Sequence, residues 1–409
     1  MRILFLPLLC LSIFHIALSE KLDENNLEIS TVAIYEAFKE SPDSSISMAK
    51  DLELLAKKSG DKHYEFKSEY LQGVLLHRSK KMGEAFLMYL STLEKMSDYS
   101  KTDIEDQKLY VNLLVNISII LREHQEYGLA IQYIKEALEY TEEHDLQMLR
   151  WTVYYNMAKH IAAEGRNYED AIRYLDSAMS AAKLIDNTEM YLNAQNEQGL
   201  VLTDLQKFEK ARSIFLCNLN YENTDHPSFN FYYRLALHNI ADTYIQSENF
   251  VDAETYLVKA SKFSTIPRLE YLTLMDLCEV YLELGDLQKA ESYGLLAQEL
   301  YPQVSALPLN YKLFAHMASL YFKKGDHKKS YSYSKRHIAE GKQFLKTQKE
   351  LIDIKNSYSM VKLAAGFLTD LEESQSNNYG FILSILAGLV TMTLFFGKVR
   401  NRLIRHSIF

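Results

Sequence analysis

Small and large apolar residues recur along this chain about every 40 residues. In six segments a small residue is followed by another twelve positions later, and in a seventh the interval is thirteen. The pairs are Gly73 and Ala85, Ser118 and Ala130, Ala158 and Ala171, Gly199 and Ala211, Ala241 and Ala253, Cys278 and Ala290, and Ala318 and Ser330. The first member of each pair defines position 0 of a repeat unit.

Large residues accompany these small ones at fixed offsets. Position +3 holds Leu76, Leu121, Ile161, Leu202, Tyr244, Tyr281 or Tyr321. Four units carry a further alanine seven residues after the second small residue, at Ala137, Ala178, Ala260 and Ala297. Offsets of three and seven residues fall on one face of a helix. The pattern therefore predicts an all-α fold in which each unit is a pair of closely packed antiparallel helices.

Glycines between the two apolar patterns of a unit predict the turns of these hairpins. They occur at Gly165, Gly285 and Gly325, where a helix is expected to end. A degenerate unit is predicted before the first pair, with its second helix at 44–58 and Pro42 near its start. The chain should thus hold about eight hairpins.

Two stretches resemble the tetratricopeptide repeat (TPR), namely NIADTYIQSENFVDAETYLVKA (239–260) and DLCEVYLELGDLQKAESYGLLAQELYP (276–302). Pro302 stands at the closing position of that family's repeat. Successive units start 37 to 45 residues apart, whereas the usual TPR period is about 34. The resemblance is therefore to long-repeat TPR superhelices. Armadillo and HEAT repeats have periods near 40, but the small-to-alanine spacing favours TPR. The resemblance implies a superhelical solenoid over residues 20–340.

The two ends of the chain carry apolar segments. Residues 1–19 have the pattern of a secretory signal peptide, with Arg2 before an apolar run; an uncleaved anchor is the alternative. Residues 377–397 are uncharged and long enough for one transmembrane helix; the alternative is a buried last helix of the solenoid. The basic tail 398–409 should face the cytoplasm. We expect a single-pass protein of a bacterial inner membrane with extracytoplasmic repeats.

The segment 341–376 is predicted to be helical and to join the repeats to the membrane. Residues 344–368 fit a short heptad pattern, which would make the segment a stalk that forms a homodimer. The alternative is a capping helix that covers the last repeat, as solenoids require.

Charge and motif content narrow the function classes. Five cations, Arg2 and four in the tail, lie outside residues 20–397, so that the formal charge of −9 for the whole chain becomes −14 for that part. An acidic surface disfavours nucleic acid as a partner. No phosphate-binding glycine loop, metal motif or nucleophile motif is present. We therefore expect no enzyme activity, no cofactor and no metal.

Histidines and cysteines are expected to have structural roles. His124 and His144 flank an acidic helical stretch and are expected on a solvated surface. Cys217 and Cys278 lie on predicted helices of different units, which disfavours a disulfide, and both are expected to be buried as small hydrophobic residues.

The TPR resemblance also implies a binding groove lined by the first helix of each unit, at positions −6, −3, +1 and +4. The candidate groove residues are Asn112, Arg122, Tyr155, Lys159, Asn193, Asn196, His238, Asp242, Met275 and Glu279. One TPR subfamily binds the carboxylate ends of other chains through an asparagine at position +1. This asparagine is absent here, and we therefore do not expect binding of carboxylate chain ends. For each candidate, an ordinary packing or solvated role is the alternative.

Two functions follow from this layout. The first is a membrane-anchored extracytoplasmic scaffold that binds a protein or peptide in its concave groove. The second is a sensory input subunit, because signal peptide, TPR array, stalk and single span resemble the input region of bacterial TPR receptors. No output domain is expected within this chain.

The predicted topology can be tested with a reporter fused after residue 409. A reporter that fluoresces only in the cytoplasm should be fluorescent, and a reporter that is active only after export should be inactive. The opposite pattern would contradict the predicted orientation.

Overall fold

A computed structural model describes most of the repeat region. The described residues are 27–38, 41–97, 103–219, 228–263, 266–304, 310–343, 345, 346, 349 and 353. Every regular element among them is helical.

The predicted terminal segments lie outside the described residues. This applies to the signal peptide 1–19, the apolar segment 377–397, the tail 398–409 and almost all of the segment 344–368. The chain divides into two compact units between Leu351 and Ile352, and the repeats belong to the first. None of the described helices has the length and apolar character needed to cross a bilayer.

The described residues form sixteen α-helices arranged as eight antiparallel hairpins. The first helices of the hairpins are α1 Leu27–Phe38, α3 Lys62–Arg78, α5 Ile104–Glu123, α7 Gln147–Glu164, α9 Thr188–Asp204, α11 Phe229–Gln246, α13 Pro267–Leu284 and α15 Leu313–Lys323. The second helices are α2 Pro42–Ser59, α4 Met82–Ser97, α6 Tyr127–Glu143, α8 Tyr168–Leu184, α10 Phe208–Leu219, α12 Phe250–Ala260, α14 Leu287–Val304 and α16 327–343. A 3₁₀ turn, Asn310–Lys312, precedes α15.

Local signals set the limits of these helices. The helix predicted at 44–58 is present as α2, with Pro42 in its first turn, and the Ser41 hydroxyl accepts a hydrogen bond from the Ser44 amide at 3.4 Å. Pro302 lies in the last turn of α14, which continues to Val304. Proline near a helix end removes few bonds, so the helix tolerates it.

Each hairpin from the second to the eighth turns at position +7, where the backbone has a positive φ of 57° to 83°. The residues at this position are Lys80, Gln125, Gly165, Gln206, Glu248, Gly285 and Gly325. A left-handed residue ends an α-helix and favours glycine, since a side chain there costs roughly 1–2 kcal/mol. The three predicted glycine turns are confirmed, and four further units make the same turn at that cost.

The small residues lie where the two helices of a hairpin come closest. A Cβ atom added to Gly73 would lie 2.4 Å from the ring of Tyr89, and one added to Gly199 would lie 2.3 Å from the ring of Phe215. Both aromatic residues are fully buried and stand four positions after the second small residue of their unit. The aromatic ring thus fills the space that the absent side chain leaves.

The other units fill the same space with a different division of volume. In the units that begin at Ser118, Ala158 and Ala241, a buried aliphatic residue replaces the ring, at Ile134, Leu175 and Leu257. Where position 0 is the larger Cys278, the facing residue is Gly294, and a Cβ atom there would lie 3.0 Å from the Cys278 Sγ atom. The residue at position 0 and the residue that faces it therefore share the space between the two helices, and a larger residue at one position goes with a smaller residue at the other.

Tyrosines at position +3 link neighbouring hairpins in the C-terminal half of the array. The Tyr281 hydroxyl donates a hydrogen bond to Glu254 of the preceding unit, and the Tyr321 hydroxyl donates one to Glu291, both at 2.7 Å. Their rings stack on Tyr293 and Tyr333 within their own hairpins. Each ring is therefore packed while its hydroxyl reaches a carboxylate, as buried tyrosine requires.

The first helices line the inner face of the array. Successive first helices contact each other from α1 against α3 through to α13 against α15, whereas within the described residues successive second helices make no comparable contact. The spacing between hairpins is therefore smaller on the side of the first helices. That side is concave, and it holds the predicted groove.

Two predictions about single residues were wrong. His124 is buried at the end of α5, where its Nδ1 atom lies 2.8 Å from the Ile120 carbonyl oxygen. Cys217 is exposed, whereas Cys278 is buried as expected and burial raises the pKa of its thiol to about 12. Side-chain periodicity along one helix does not show what covers the end of that helix.

The volume rule at the hairpin contact predicts a rescue. Gly199→Ala should lower the free energy of unfolding by about 1–3 kcal/mol through overcrowding against Phe215. Adding Phe215→Leu should recover most of this loss, because Ala241 and Leu257 form the same pair naturally. Urea unfolding followed by circular dichroism measures both changes.

Gly128→Ala serves as the control for this experiment, since nothing lies within 4 Å of a Cβ atom there. It should leave the urea midpoint unchanged or raise it. Additive effects of Gly199→Ala and Phe215→Leu would contradict the volume rule.

Candidate functional site

A ladder of polar contacts runs along the concave face and joins successive first helices. Its common element is position −2, which is polar in six consecutive units. These residues are Asn116, Asn156, Glu197, Asn239, Asp276 and His316. Each lies against a residue at position −3, +1 or +4 of the preceding unit, and we call each such contact a rung.

The first two rungs involve α3, α5 and α7. The Asn116 amide donates a hydrogen bond to the Tyr70 hydroxyl at 3.0 Å. The Arg122 guanidinium donates to Asn156 Oδ1 at 3.5 Å and lies 3.4 Å from His160 Nδ1. Burial lowers the pKa of Arg122, and burial followed by repulsion from Arg122 lowers the pKa of His160 to about 2. The cation of this rung therefore meets neutral groups.

The two middle rungs join α7, α9 and α11. The Lys159 ammonium lies 3.4 Å from a Glu197 carboxylate oxygen, and the Tyr155 hydroxyl donates to the same carboxylate at 3.4 Å. The Asn239 amide donates a hydrogen bond to Asn196 Oδ1 at 2.6 Å. This part of the face is electrically balanced.

The last two rungs place carboxylates beside histidines. His238 Nε2 lies 3.6 Å from Asp276 Oδ2, and His316 Nε2 lies 3.7 Å from Glu279 Oε2. Both separations exceed hydrogen-bonding distance. Burial lowers the pKa of each imidazole to about 4, so both histidines are neutral near pH 7. The carboxylates consequently meet no positive charge in these rungs.

Acidic side chains crowd together at this end of the face. Burial, followed by repulsion from Glu279 and Asp204, raises the pKa of the Asp242 carboxyl to about 6. Burial also raises the pKa of Asp276 well above its usual range, with Asp242 and Glu279 adding to the effect. Lys312 is the cation that opposes these shifts. We call Asp242, Asp276 and Glu279 the acidic wall.

The predicted groove residues lie in three environments. Asn112, Arg122, Tyr155, Lys159, Asn193, Asp242 and Glu279 are half-buried on the inner face, where part of each remains accessible. Asn196 and His238 are buried between first helices. Met275 is buried in the apolar cluster of the C-terminal units, where it supports the groove without lining it.

The sequence analysis missed the residues at position −2. Asn156, Glu197 and Asp276 are as central to the concave face as the predicted candidates, because they meet the neighbouring first helix. A signal was available, since this position is polar in all six units that form rungs although it lies two residues from a buried one. Within the described residues no cluster has the donor set of a metal site.

Burial of Asp242, together with crowding in the acidic wall, predicts a pH-dependent gain from Asp242→Asn. The pKa of Asp242 is higher in the folded chain than in the unfolded one, so its ionisation destabilises the fold as pH rises through the interval from about 4 to about 6. The variant should therefore be more stable than the parent by roughly 1–2 kcal/mol at pH 7.5. The difference should vanish near pH 4.

Unfolding midpoints of both proteins between pH 4 and pH 8 measure this difference. Asp51→Asn, at an exposed position on α2, removes the same charge elsewhere and serves as the control. A stability difference that does not change with pH, or a less stable variant at pH 7.5, would contradict the crowding of carboxylates.

Comparisons of sequence reveal no relative. No family model matches the chain, and no curated protein matches it.

Comparisons of structure reveal similar folds at low sequence identity. A signal-transduction ATPase of the STAND class with a TPR sensor, from Pyrococcus horikoshii, aligns with a TM-score of 0.55 and 16% identity, covering 82% of this chain and 49% of the other. The apo form of RapI aligns with 0.53 and 14%, covering 78% and 86%. NprR in complex with its cognate peptide NprX aligns with 0.50 and 13%, covering 80% and 98%. The repeat region of this chain therefore has a TPR-like helical-repeat fold.

Proposed function

We propose that this chain is a non-catalytic scaffold that binds a protein or peptide partner along its concave face. The observation that carries the proposal is the polar ladder, which leaves charged groups half-buried along one face. Arg122, Lys159, Asp242 and Glu279 combine restricted mobility with partial access. Such groups can bind a partner with little loss of side-chain entropy.

The similar structures support this proposal at the level of the fold. NprR has been solved in complex with its cognate peptide, which illustrates that an array of this kind can hold a peptide. Because identity is low, the similarity carries no residue assignments to this chain. The choice of ligand must come from the residues of its own groove.

The proposed location rests on the sequence. The signal-peptide pattern of 1–19, the apolar segment 377–397 and the basic tail 398–409 favour a single-pass protein with extracytoplasmic repeats. Residues 341–376 would then form either a stalk that self-associates or a cap for the last hairpin.

A sensory input subunit is the second candidate. The observation that favours it is the character of the similar structures, which include a protein with a TPR sensor and a quorum sensor from B. thuringiensis. Both candidates require a ligand in the same groove. They differ in whether binding alters a second protein that carries an output activity.

Peptide selection combined with photocrosslinking tests the groove. A displayed library of random dodecapeptides is selected on the full-length chain in detergent micelles, and the enriched peptides are synthesised. p-Benzoylphenylalanine in place of Tyr155 should crosslink to these peptides. The same group in place of Lys135, exposed on the second helix α6, is the control and should not.

Mass spectrometry identifies the crosslinked products. Equal crosslinking at both positions, or a library that yields no enriched peptide, would contradict binding in the concave groove.

A further inference from the structure

The rungs of the concave face differ in their balance of charge. Lys159 and Glu197 neutralise each other in the middle of the array. At the C-terminal end, the cluster of Asp242, Asp276 and Glu279 faces neutral imidazoles. Within the described part of the chain, no lysine or arginine lies at ion-pair distance from these three carboxylates.

We propose that the acidic wall of α11 and α13 binds a lysine or arginine side chain of the partner peptide. This inference rests on the proposed function, and it adds the chemistry of one contact and the direction in which the peptide lies. A guanidinium or ammonium group would supply the charge that the wall lacks. Ion pairs of this kind gain strength where both groups are partly removed from water.

The geometry of His238 provides an independent observation at this place. The residue is only 8% exposed and lies between α11 and α13, with its Nε2 atom 3.6 Å from Asp276. Its Nδ1 atom is buried and has no hydrogen-bond partner in the described structure. Buried polar atoms of proteins are nearly always paired. This Nδ1 atom is closed to an entering group, whereas the Nε2 atom is aimed at Asp276 from beyond hydrogen-bonding distance and is the polar atom of the imidazole that faces the wall.

The cost of the wall in the free protein also favours a binding role. Three carboxylates that repel each other in a partly buried face destabilise the fold, and asparagine or glutamine would fill the same space without that repulsion. Local conflicts of this kind concentrate at functional sites. The nearby Glu283, by contrast, is neutralised within the chain by Lys323 at 3.8 Å.

Arg122 gives the groove a direction. Its guanidinium is largely buried on α5, in the third of the eight described hairpins, and the groups at bonding distance are the neutral Asn156 and His160. No carboxylate among the described residues forms an ion pair with it. A peptide whose cation lies at the acidic wall would therefore place an anionic residue, or its chain end, toward Arg122.

Peptides selected on the full-length chain test this contact through a double-mutant cycle. The enriched peptides should contain lysine or arginine at one recurrent position. Replacing that arginine by citrulline, or that lysine by norleucine, should weaken binding to the parent at least tenfold in fluorescence anisotropy. The same replacement should have a several-fold smaller effect on the Asp242→Asn, Asp276→Asn double variant, because Glu279 is then the one remaining carboxylate of the wall.

The variant is expected to fold, since it removes repulsion, and circular dichroism verifies this. The control is the Glu139→Gln, Glu299→Gln double variant, which removes the same net charge from exposed positions on α6 and α14. It should keep the tenfold discrimination against the uncharged peptide.

The outcomes separate this inference from the proposed function. The acidic wall would be overturned as a cation site, while groove binding stands, by either of two results. In the first, the enriched peptides crosslink at Tyr155 but show no preference for a cation. In the second, the preference is the same in the parent and in the Asp242→Asn, Asp276→Asn variant. A library that yields no peptide crosslinked in the groove would overturn both. A preference that is weakened in the Asp242→Asn, Asp276→Asn variant and kept in the Glu139→Gln, Glu299→Gln control supports the inference.

Discussion

Close approach of two helices at a pair of small residues is the constraint from which the rest of the structure follows. At Gly73 and Gly199 the gap is filled by the ring of Tyr89 or Phe215, and at Cys278 the facing residue shrinks to Gly294. The helix separation is thus kept while its components vary. Hairpins of equal thickness can stack in register, because each presents the same surface to the next.

Stacking in register brings equivalent positions of successive first helices together. Position −2 of one unit meets positions −3, +1 or +4 of the unit before it, as in the contacts of Lys159 with Glu197 and of Asn239 with Asn196. In the first four rungs polar residues are tolerated because each has a polar partner from the neighbouring unit. The ladder is therefore a consequence of the repeat geometry, and its individual rungs can vary in charge.

Differences in charge among the rungs can make one part of a repetitive fold suited to ligand binding. A neutral rung, such as Asn196 with Asn239, stabilises the stack and leaves no charge for a ligand. The acidic wall lowers stability in the free protein, and Arg122 is held without a carboxylate partner. One array of equivalent hairpins can in this way present a cationic region and an anionic region along a single face.

Much of the fold could be predicted from the sequence, and less of the site. The hairpins, their close contacts and the turns at Gly165, Gly285 and Gly325 follow from spacings within one unit, which local chemistry determines. The exposure of Met275, His124 and Cys217 was predicted less well. Their exposure depends on side chains contributed by other helices, and a period along one helix contains no information about those.

The sequence by itself determined that each unit is a helical hairpin and which small residues lie inside it, because helix periodicity and side-chain volume act over a few turns. Only the tertiary structure decided that the inner face carries paired rungs, that Asp242 lies near Asp276 and Glu279, and that His238 is enclosed beside them. His238 and Asp242 on α11 are 34 to 41 positions from Asp276 and Glu279 on α13. Electrostatic repulsion between them arises only when stacking brings their helices together.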